Sequence, residues 1–135
     1  MENIYKNIHK NDSQYMKEAF IIAQKSNMIN KHGCIIVDNK GNIISSGYNS
    51  ALYVNKDKLK TYDKNTNIKI SKHAEENALK NVNPKKLYGA KLYIVRINTD
   101  INNLDIFKYS KPCKRCTSII ETCMKKCGLK IVYYS

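Results

Sequence analysis

The chain has 135 residues and a formal net charge of +13, with 24 lysines and arginines against 11 acidic residues. The length predicts one domain, residues 1–135, and no apolar run is long enough to cross a membrane, so no membrane partner is expected. The charge favours an anionic partner, either a nucleotide phosphate or a nucleic acid, although a lysine-rich proteome is an equally good explanation.

The number of cysteines, five, and the polar start of the chain indicate the redox environment of the protein. The first 14 residues are polar and contain no apolar run of the kind that a secretory signal requires. An odd number of cysteines without such a signal favours a reducing intracellular compartment, and a cytoplasmic location is expected. In that setting the cysteines are expected to be metal ligands or buried thiols.

The first third of the chain predicts a helix and a β-hairpin after a short lead-in. Residues 1–11 are polar and are expected to form a flexible lead-in. Asp12 suits the N-cap of a helix that runs to about Asn27, because apolar residues recur between them at helical spacing. Cys34–Val37 is a short apolar run and predicts a buried strand, and Asn42–Tyr48 returns after turn-forming residues as its hairpin partner.

The rest of the chain predicts two helices and two further strands, separated by loops. Residues 51–72 are polar and lysine-rich and predict a loop, and residues 98–111 predict a second long connection. The regular elements are a helix from near His73 to about Asn81, a strand over Lys91–Ile97, a helix from Pro112 to a C-cap at Gly128 and a strand over Leu129–Tyr134. Successive β-α-β units of this kind predict a mixed sheet with parallel members.

Two short motifs contain three residues of the types that zinc prefers as ligands. His73 opens His-Ala-Glu, and Cys113 and Cys116 lie in Pro-Cys-Lys-Arg-Cys. The Cys-x-x-Cys spacing lets one turn present both sulfurs to one ion. Glu75 follows the histidine by two residues, so it can reach a water on the metal without binding the metal itself. Three protein ligands leave one tetrahedral position open, which is typical of a catalytic site.

A structural site of four cysteines is the alternative interpretation of the same residues. Cys123 and Cys127 are separated by four residues on one predicted helix, and they point along that helix away from its first turn. They are therefore interpreted as ordinary helix residues, and Cys34 in the first strand is interpreted as a small buried hydrophobic residue.

The chain resembles the cytidine deaminase-like superfamily, in the branch of the deoxycytidylate deaminases, whose signature is His-x-Glu followed by Pro-Cys-x-x-Cys. The blocks Gly33–Val37 and Gly47-Tyr48-Asn49 extend the resemblance. It implies a three-layer α-β-α fold around a mixed sheet of about four strands. The fifth C-terminal strand usual in the family has no residues here. It also implies a Zn²⁺ ion on His73, Cys113 and Cys116.

The resemblance implies hydrolytic deamination of a cytosine-bearing nucleoside or nucleotide, of the dCMP or cytidine type, with release of ammonia. Glu75 is then the catalytic proton shuttle, and Asn49, Ala74 and Ser110 contact the substrate. Without the resemblance, Asn49 is more simply explained as a turn residue. Family members commonly assemble, and the missing strand leaves a sheet edge open, so a homo-oligomer is expected.

Two alternatives stay open at this point. The first is a deaminase that acts on cytosine or adenosine in tRNA, other RNA or DNA, which the positive charge permits. The interleaved lysines and tyrosines of residues 51–72 are able to hold a phosphate and stack a base, although a solvated surface loop is the simpler interpretation. The second is a non-catalytic, zinc-stabilised module that binds nucleic acid. Glu75 argues against it, because a structural zinc site has no use for a proton shuttle.

Overall fold

The computed structural model describes residues 5–7, 14–55, 67–99 and 105–135. Eight strands and three α-helices lie in these ranges, and a short 3₁₀ turn, Pro84–Lys86, follows the second helix. The elements in chain order are β1 (Tyr5–Asn7), α1 (Gln14–Ala23), β2 (Lys31–Val37), β3 (Ile43–Tyr48), β4 (Ser50–Asn55), β5 (Asn67–Lys72), α2 (Ala74–Lys80), β6 (Lys91–Thr99), β7 (Asp105–Lys108), α3 (Lys114–Cys127) and β8 (Ile131–Tyr134).

The main sheet is mixed, as predicted. Its strand order is β1-β8-β6-β2-β3, with β7 as an additional partner of β6. The pairs β1–β8 and β6–β8 are parallel, whereas β2 pairs with both β3 and β6 in antiparallel orientation. One edge of β6 pairs first with β8, through residues 91–94, and then with β7, through residues 96–99. The second sheet is the antiparallel pair β4–β5.

Helices cover both faces of the main sheet, so the predicted three-layer α-β-α architecture is confirmed. Helix α1 packs on one face, where Met16 meets a buried cluster that includes Ile35 and Val37. Helices α2 and α3 pack on the other face against a cluster that includes Cys34 and Ile36. Strand β2 is therefore buried on both sides, which is why its sequence is a continuous apolar run.

The prediction of a flexible lead-in over residues 1–11 is wrong for Tyr5–Asn7, which form β1 and pair with β8 in the sheet. The other residues of the lead-in, and the predicted N-cap Asp12, lie outside the described residues. A polar segment can enter a sheet because the ladder is made by backbone N–H and C=O groups. The edge of β8 that was expected to need a partner subunit is covered by β1 of the same chain.

The predicted count of about four strands is too low. Strands β2, β3, β6 and β8 correspond to the four apolar runs found in the sequence. Residues 51–72 were predicted to be a loop, yet they supply β5 and most of β4, while the connection over residues 98–111 contains β7. None of these strands is a simple apolar run, so the sequence pattern did not reveal them. Among the described residues, no helix is both long and apolar enough to span the bilayer.

Candidate active site

The three predicted zinc ligands meet at the starts of two helices. His73 directly precedes α2, Cys113 directly precedes α3, and Cys116 lies in the first turn of α3. The His73 Nδ1 atom is 3.5 Å from the Cys113 Sγ atom and 3.3 Å from the Cys116 Sγ atom. The three ligand atoms lie within 4.8 Å of one another, and no other such group of three exists among the described residues.

This donor set fits a zinc ion. A tetrahedral Zn²⁺ with ordinary Zn–N and Zn–S bond lengths holds a nitrogen and a sulfur ligand about 3.6 Å apart, close to the separations found here. Burial raises the pKa of the Cys116 thiol, and the nearby Glu75 carboxylate raises it further. Thiolates packed beside a carboxylate repel one another, and a divalent cation relieves that repulsion.

Glu75 lies in the first turn of α2, and only 5% of it is exposed. Burial raises the pKa of its carboxyl group, while a hydrogen bond from its own backbone N–H, contact with Cys116 and the charge of His73 act in the opposite direction. A carboxyl group in this environment can exchange a proton near neutral pH more readily than an exposed one. The position and burial of Glu75 therefore suit general acid–base chemistry.

A cavity of about 310 Å³ opens beside the three ligands. Its lining includes every residue that was predicted to act on the substrate: Asn49, Ala74, Glu75 and Ser110. His73 and Cys113 also line it. This volume lies at the small end of the range for small-molecule sites. A larger and more open cavity of about 520 Å³ lies at the opposite end of the sheet, and none of the predicted site residues lines it.

Asn49 is both a structural residue and part of the cavity wall. It follows β3 and is almost completely buried. Its Oδ1 atom accepts a hydrogen bond of 2.7 Å from the His32 backbone N–H, and its Nδ2 atom donates one of 2.7 Å to the Asn30 carbonyl. These two bonds fix the orientation of the amide. The Nδ2 atom also donates to the Met28 Sδ atom at 3.3 Å, so one acceptor lone pair of Oδ1 remains for other partners.

Ser110 and Ala74 reach the cavity in a different way from Asn49. The Ser110 hydroxyl donates to the Ile94 carbonyl at 3.0 Å and accepts from the Ser135 backbone N–H at 2.9 Å. That hydroxyl is therefore used within the fold, where it ties β7 and the end of the chain to β6. Ala74 is fully buried and has no polar side chain. Ala74 therefore offers only backbone groups to a ligand. The Ser110 backbone N–H already donates to the Ser135 carbonyl at 2.9 Å, so its carbonyl is the backbone group that it can offer.

His32 also lines the cavity and is not among the predicted site residues. Strand β2 begins at Lys31, and the alternation of side chains places His32 on the same face as Cys34 and Ile36. Extending the predicted strand by a few residues would have revealed this position. Burial lowers the pKa of the His32 imidazole, and the positive charge of Arg96 lowers it further.

The chain matches one family model, "Cytidine and deoxycytidylate deaminase zinc-binding region", over residues 9–133. The chain belongs to this family. The comparison with curated proteins gave no match. Among solved structures, the chain is similar to the dCMP deaminase from the cyanophage S-TIM5 in its apo form, with 28% identity and a TM-score of 0.56 over 89% of this chain and 78% of that chain. The crystal structure of that enzyme in complex with dCMP and dUMP matches with 26% identity and a TM-score of 0.52, over 89% and 76% of the two chains.

These matches confirm the predicted superfamily, and the family's zinc-binding region spans both motifs of the predicted ligand set. The family match and the observed cluster of His73, Cys113 and Cys116 together confirm the prediction of Zn²⁺ as the cofactor.

An interaction that the sequence did not suggest joins the two ligand-bearing helices. The Arg115 Nη2 atom lies 3.0 Å from the Glu76 Oε2 atom, so the residue after Glu75 forms an ion pair with the residue before Cys116.

Helix α2 is held tightly against β3. The Asn77 Nδ2 atom donates to the Tyr48 carbonyl at 2.8 Å, and the Ser45 hydroxyl donates to the Ala78 carbonyl at 2.6 Å. Gly47 allows this close approach, because a Cβ atom added there would lie 2.5 Å from the Ala74 carbonyl oxygen. The absence of a side chain at Gly47 thus sets the position of the helix that carries Glu75.

Replacing Gly47 by alanine is expected to lower the free energy of unfolding by about 1–3 kcal/mol and to weaken zinc binding. The added methyl group pushes α2, with His73 at its start, away from β3. Gly33→Ala is the matched control, because its Cβ would overlap the α1 backbone at Ala19 on the opposite face. Denaturant unfolding and competitive zinc titration measure the two effects. Equal losses of zinc affinity in both variants would contradict this assignment.

Proposed function

We propose that the chain is a zinc-dependent hydrolytic deaminase of a cytosine-bearing nucleotide of the dCMP type. The observation that carries the proposal is the juxtaposition of His73, Cys113 and Cys116 with the buried Glu75 on one cavity. A purely structural zinc site does not need a cavity or a carboxyl group at its side. The similarity to a dCMP deaminase solved with dCMP and dUMP supports the choice of substrate class.

In this mechanism, His73, Cys113 and Cys116 hold the zinc ion, which when bound supplies a Lewis acid that lowers the pKa of water. Glu75 takes a proton from the attacking water and transfers it to the ring nitrogen beside the amine-bearing carbon. It then takes the remaining proton of the added hydroxyl group and delivers it to the departing amine, so that water and the amino-substituted ring become the carbonyl product and ammonia.

The remaining cavity residues are assigned to binding and orientation of the base and sugar. Asn49 uses the free lone pair of its fixed amide oxygen. Ala74 uses backbone groups, and Ser110 uses its backbone carbonyl. Because the Asn49 amide is already oriented by His32 and Asn30, little side-chain freedom is lost when the substrate binds.

A second candidate is deamination of a base within a polynucleotide, and the net charge of +13 favours it. The third hypothesis, a non-catalytic nucleic-acid-binding module, is weaker because it assigns no role to the buried Glu75.

A cytoplasmic location and a homo-oligomeric state of the protein stay predictions.

The test is a panel of dCMP, CMP, deoxycytidine, cytidine and cytosine-containing oligonucleotides, incubated with protein of verified zinc content. Ammonia release and the ultraviolet change from cytosine to uracil are followed together. We expect release from the mononucleotides, with dCMP preferred. Release from oligonucleotides alone would replace this proposal by the second candidate, and no release from any member would remove the enzyme assignment.

A further inference from the structure

Arg96 is a half-buried cation close to the cavity that the proposed mechanism does not use. It lies in β6 and pairs across the strands with His32 of β2, so the two side chains occupy the same face of the sheet. Ile94, two residues earlier in β6, belongs to the buried cluster under α2 and α3. Arg96 therefore projects from the sheet face that carries the active site.

The guanidinium of Arg96 has no acidic partner in the described part of the chain. The other arginine of the sequence, Arg115, forms an ion pair with Glu76. The Arg96 Nη2 atom donates to the Asn30 Oδ1 atom at 3.0 Å, while its Nε atom is buried without a hydrogen-bond partner among the described residues. A guanidinium offers five N–H donors, and buried donors are normally satisfied.

Asn30 connects Arg96 to the cavity wall. Its Oδ1 atom accepts from Arg96 and also from the Asn98 Nδ2 atom at 3.2 Å. Its backbone carbonyl accepts from the Asn49 Nδ2 atom, and Asn30, His32 and Asn49 all line the cavity. Asn30 thus links the guanidinium to the cavity wall that the substrate would contact.

The charges around the cavity favour an anion. Lys72 and Lys111 line it, and the one acidic residue that the described lining contains is Glu75. Glu75 is already assigned to proton transfer. Arg96 lies opposite His32, a lining residue, across the β2–β6 pair, so its side chain is next to the cavity wall.

We propose that Arg96 binds the phosphate group of the substrate and makes the site select a nucleotide over the corresponding nucleoside. The inference rests on the proposed function, because it assumes that the base occupies the cavity beside the zinc ligands. A planar guanidinium fork matches a phosphate in a bidentate manner, and it carries its charge at all physiological pH values.

The phosphate is that of a free mononucleotide rather than of a polynucleotide. Arg96 is half-buried in the sheet, and the adjoining cavity holds about 310 Å³. A terminal phosphate can enter such a site from one side. A continuous backbone must leave the site in both directions, and it is usually held by exposed cations along a surface.

The test compares dUMP with deoxyuridine by calorimetric binding to the zinc-loaded protein, so that no turnover occurs. Arg96→Gln is expected to weaken dUMP binding by about 10- to 100-fold, because charge-assisted hydrogen bonds are lost, and to change deoxyuridine binding by less than about twofold. The control is Lys130→Gln, which removes a positive charge from an exposed residue just before β8, next to the larger cavity at the other end of the sheet. It should leave both affinities unchanged.

Two results would overturn the inference. One is unchanged dUMP affinity in Arg96→Gln, and the other is an equal loss for dUMP and deoxyuridine, which indicates a purely structural role through Asn30. Arg96→Lys guards against misfolding: it keeps the charge without the fork, and partial retention of the preference for dUMP supports the assignment. An oligodeoxynucleotide whose affinity depends on Arg96 when that of dUMP does not would overturn the mononucleotide choice.

Failure of the inference and failure of the proposed function give different results. Parent protein that binds dUMP through Arg96 but releases no ammonia from dCMP supports the phosphate site and removes the deaminase assignment. Parent protein that deaminates dCMP and deoxycytidine equally well, and binds dUMP no better than deoxyuridine, retains the function and removes the phosphate site.

Discussion

Replacing Glu75 by glutamine is expected to lower kcat for dCMP by about 10²- to 10⁴-fold while the zinc content stays unchanged. Glutamine has nearly the same shape and fills the same buried position in the first turn of α2. It cannot accept a proton from water or return one to the departing amine. The measurement combines steady-state kinetics with metal analysis of the same protein sample, so loss of the ion and loss of the proton shuttle are separated.

The matched control for this variant is Glu76→Gln, which removes a neighbouring carboxylate from the same helical turn. Glu76 pairs with Arg115, whose side chain is 63% exposed, so little of the transition-state stabilisation is expected to depend on it. A Glu75→Gln variant that keeps more than about a tenth of kcat would contradict the shuttle role, since one catalytic acid–base group contributes far more than that.

Cys116→Ser is expected to abolish zinc binding and to lower the melting temperature by about 10 °C or more, because metal binding contributes to folding free energy. Cys116 is fully buried in the first turn of α3, and a zinc ion held by Cys116 and His73 would join this helix to the start of α2. A serine hydroxyl does not replace a thiolate as a zinc ligand. Metal analysis after gel filtration and a thermal melt measure the two effects.

Cys127→Ser is the control, because Cys127 is the last residue of the same helix and the structure places it outside the ligand cluster. It should retain zinc and lose little stability. If Cys127→Ser loses the ion as Cys116→Ser does, the alternative of a four-cysteine site returns. If Cys116→Ser retains the ion, the proposed ligand set is incorrect.

The candidate zinc ligands and the proposed proton shuttle could be predicted from short segments of the sequence. His73 and Glu75 are two residues apart, and Cys113 and Cys116 are three apart, so each motif reflects constraints within one helical turn. The strands that are apolar runs, such as β2 and β6, were also readable, because burial demands apolar side chains on both faces of a covered sheet. Gly128, with φ of 77°, ends α3 where a left-handed residue was expected.

Strands β1, β5 and β7 were not readable, because polar strands are held by backbone hydrogen bonds that leave little trace in composition. The partners of Tyr5–Asn7 lie in β8, at the far end of the chain. The phosphate contact proposed for Arg96 could not be predicted from the sequence either. It depends on the cross-strand pairing with His32 and on the contact with Asn30, 66 residues earlier.

The sequence by itself determined the candidate metal ligands and the proposed proton shuttle, since those assignments depend on residue type and local spacing. Only the tertiary structure decided which other groups surround them. These are the fixed amide of Asn49, the hydroxyl of Ser110 that is hydrogen-bonded within the fold, and the guanidinium of Arg96, which has no acidic partner among the described residues. The physical reason is that strand register and helix packing bring these groups together from distant parts of the chain, and no local pattern encodes that register.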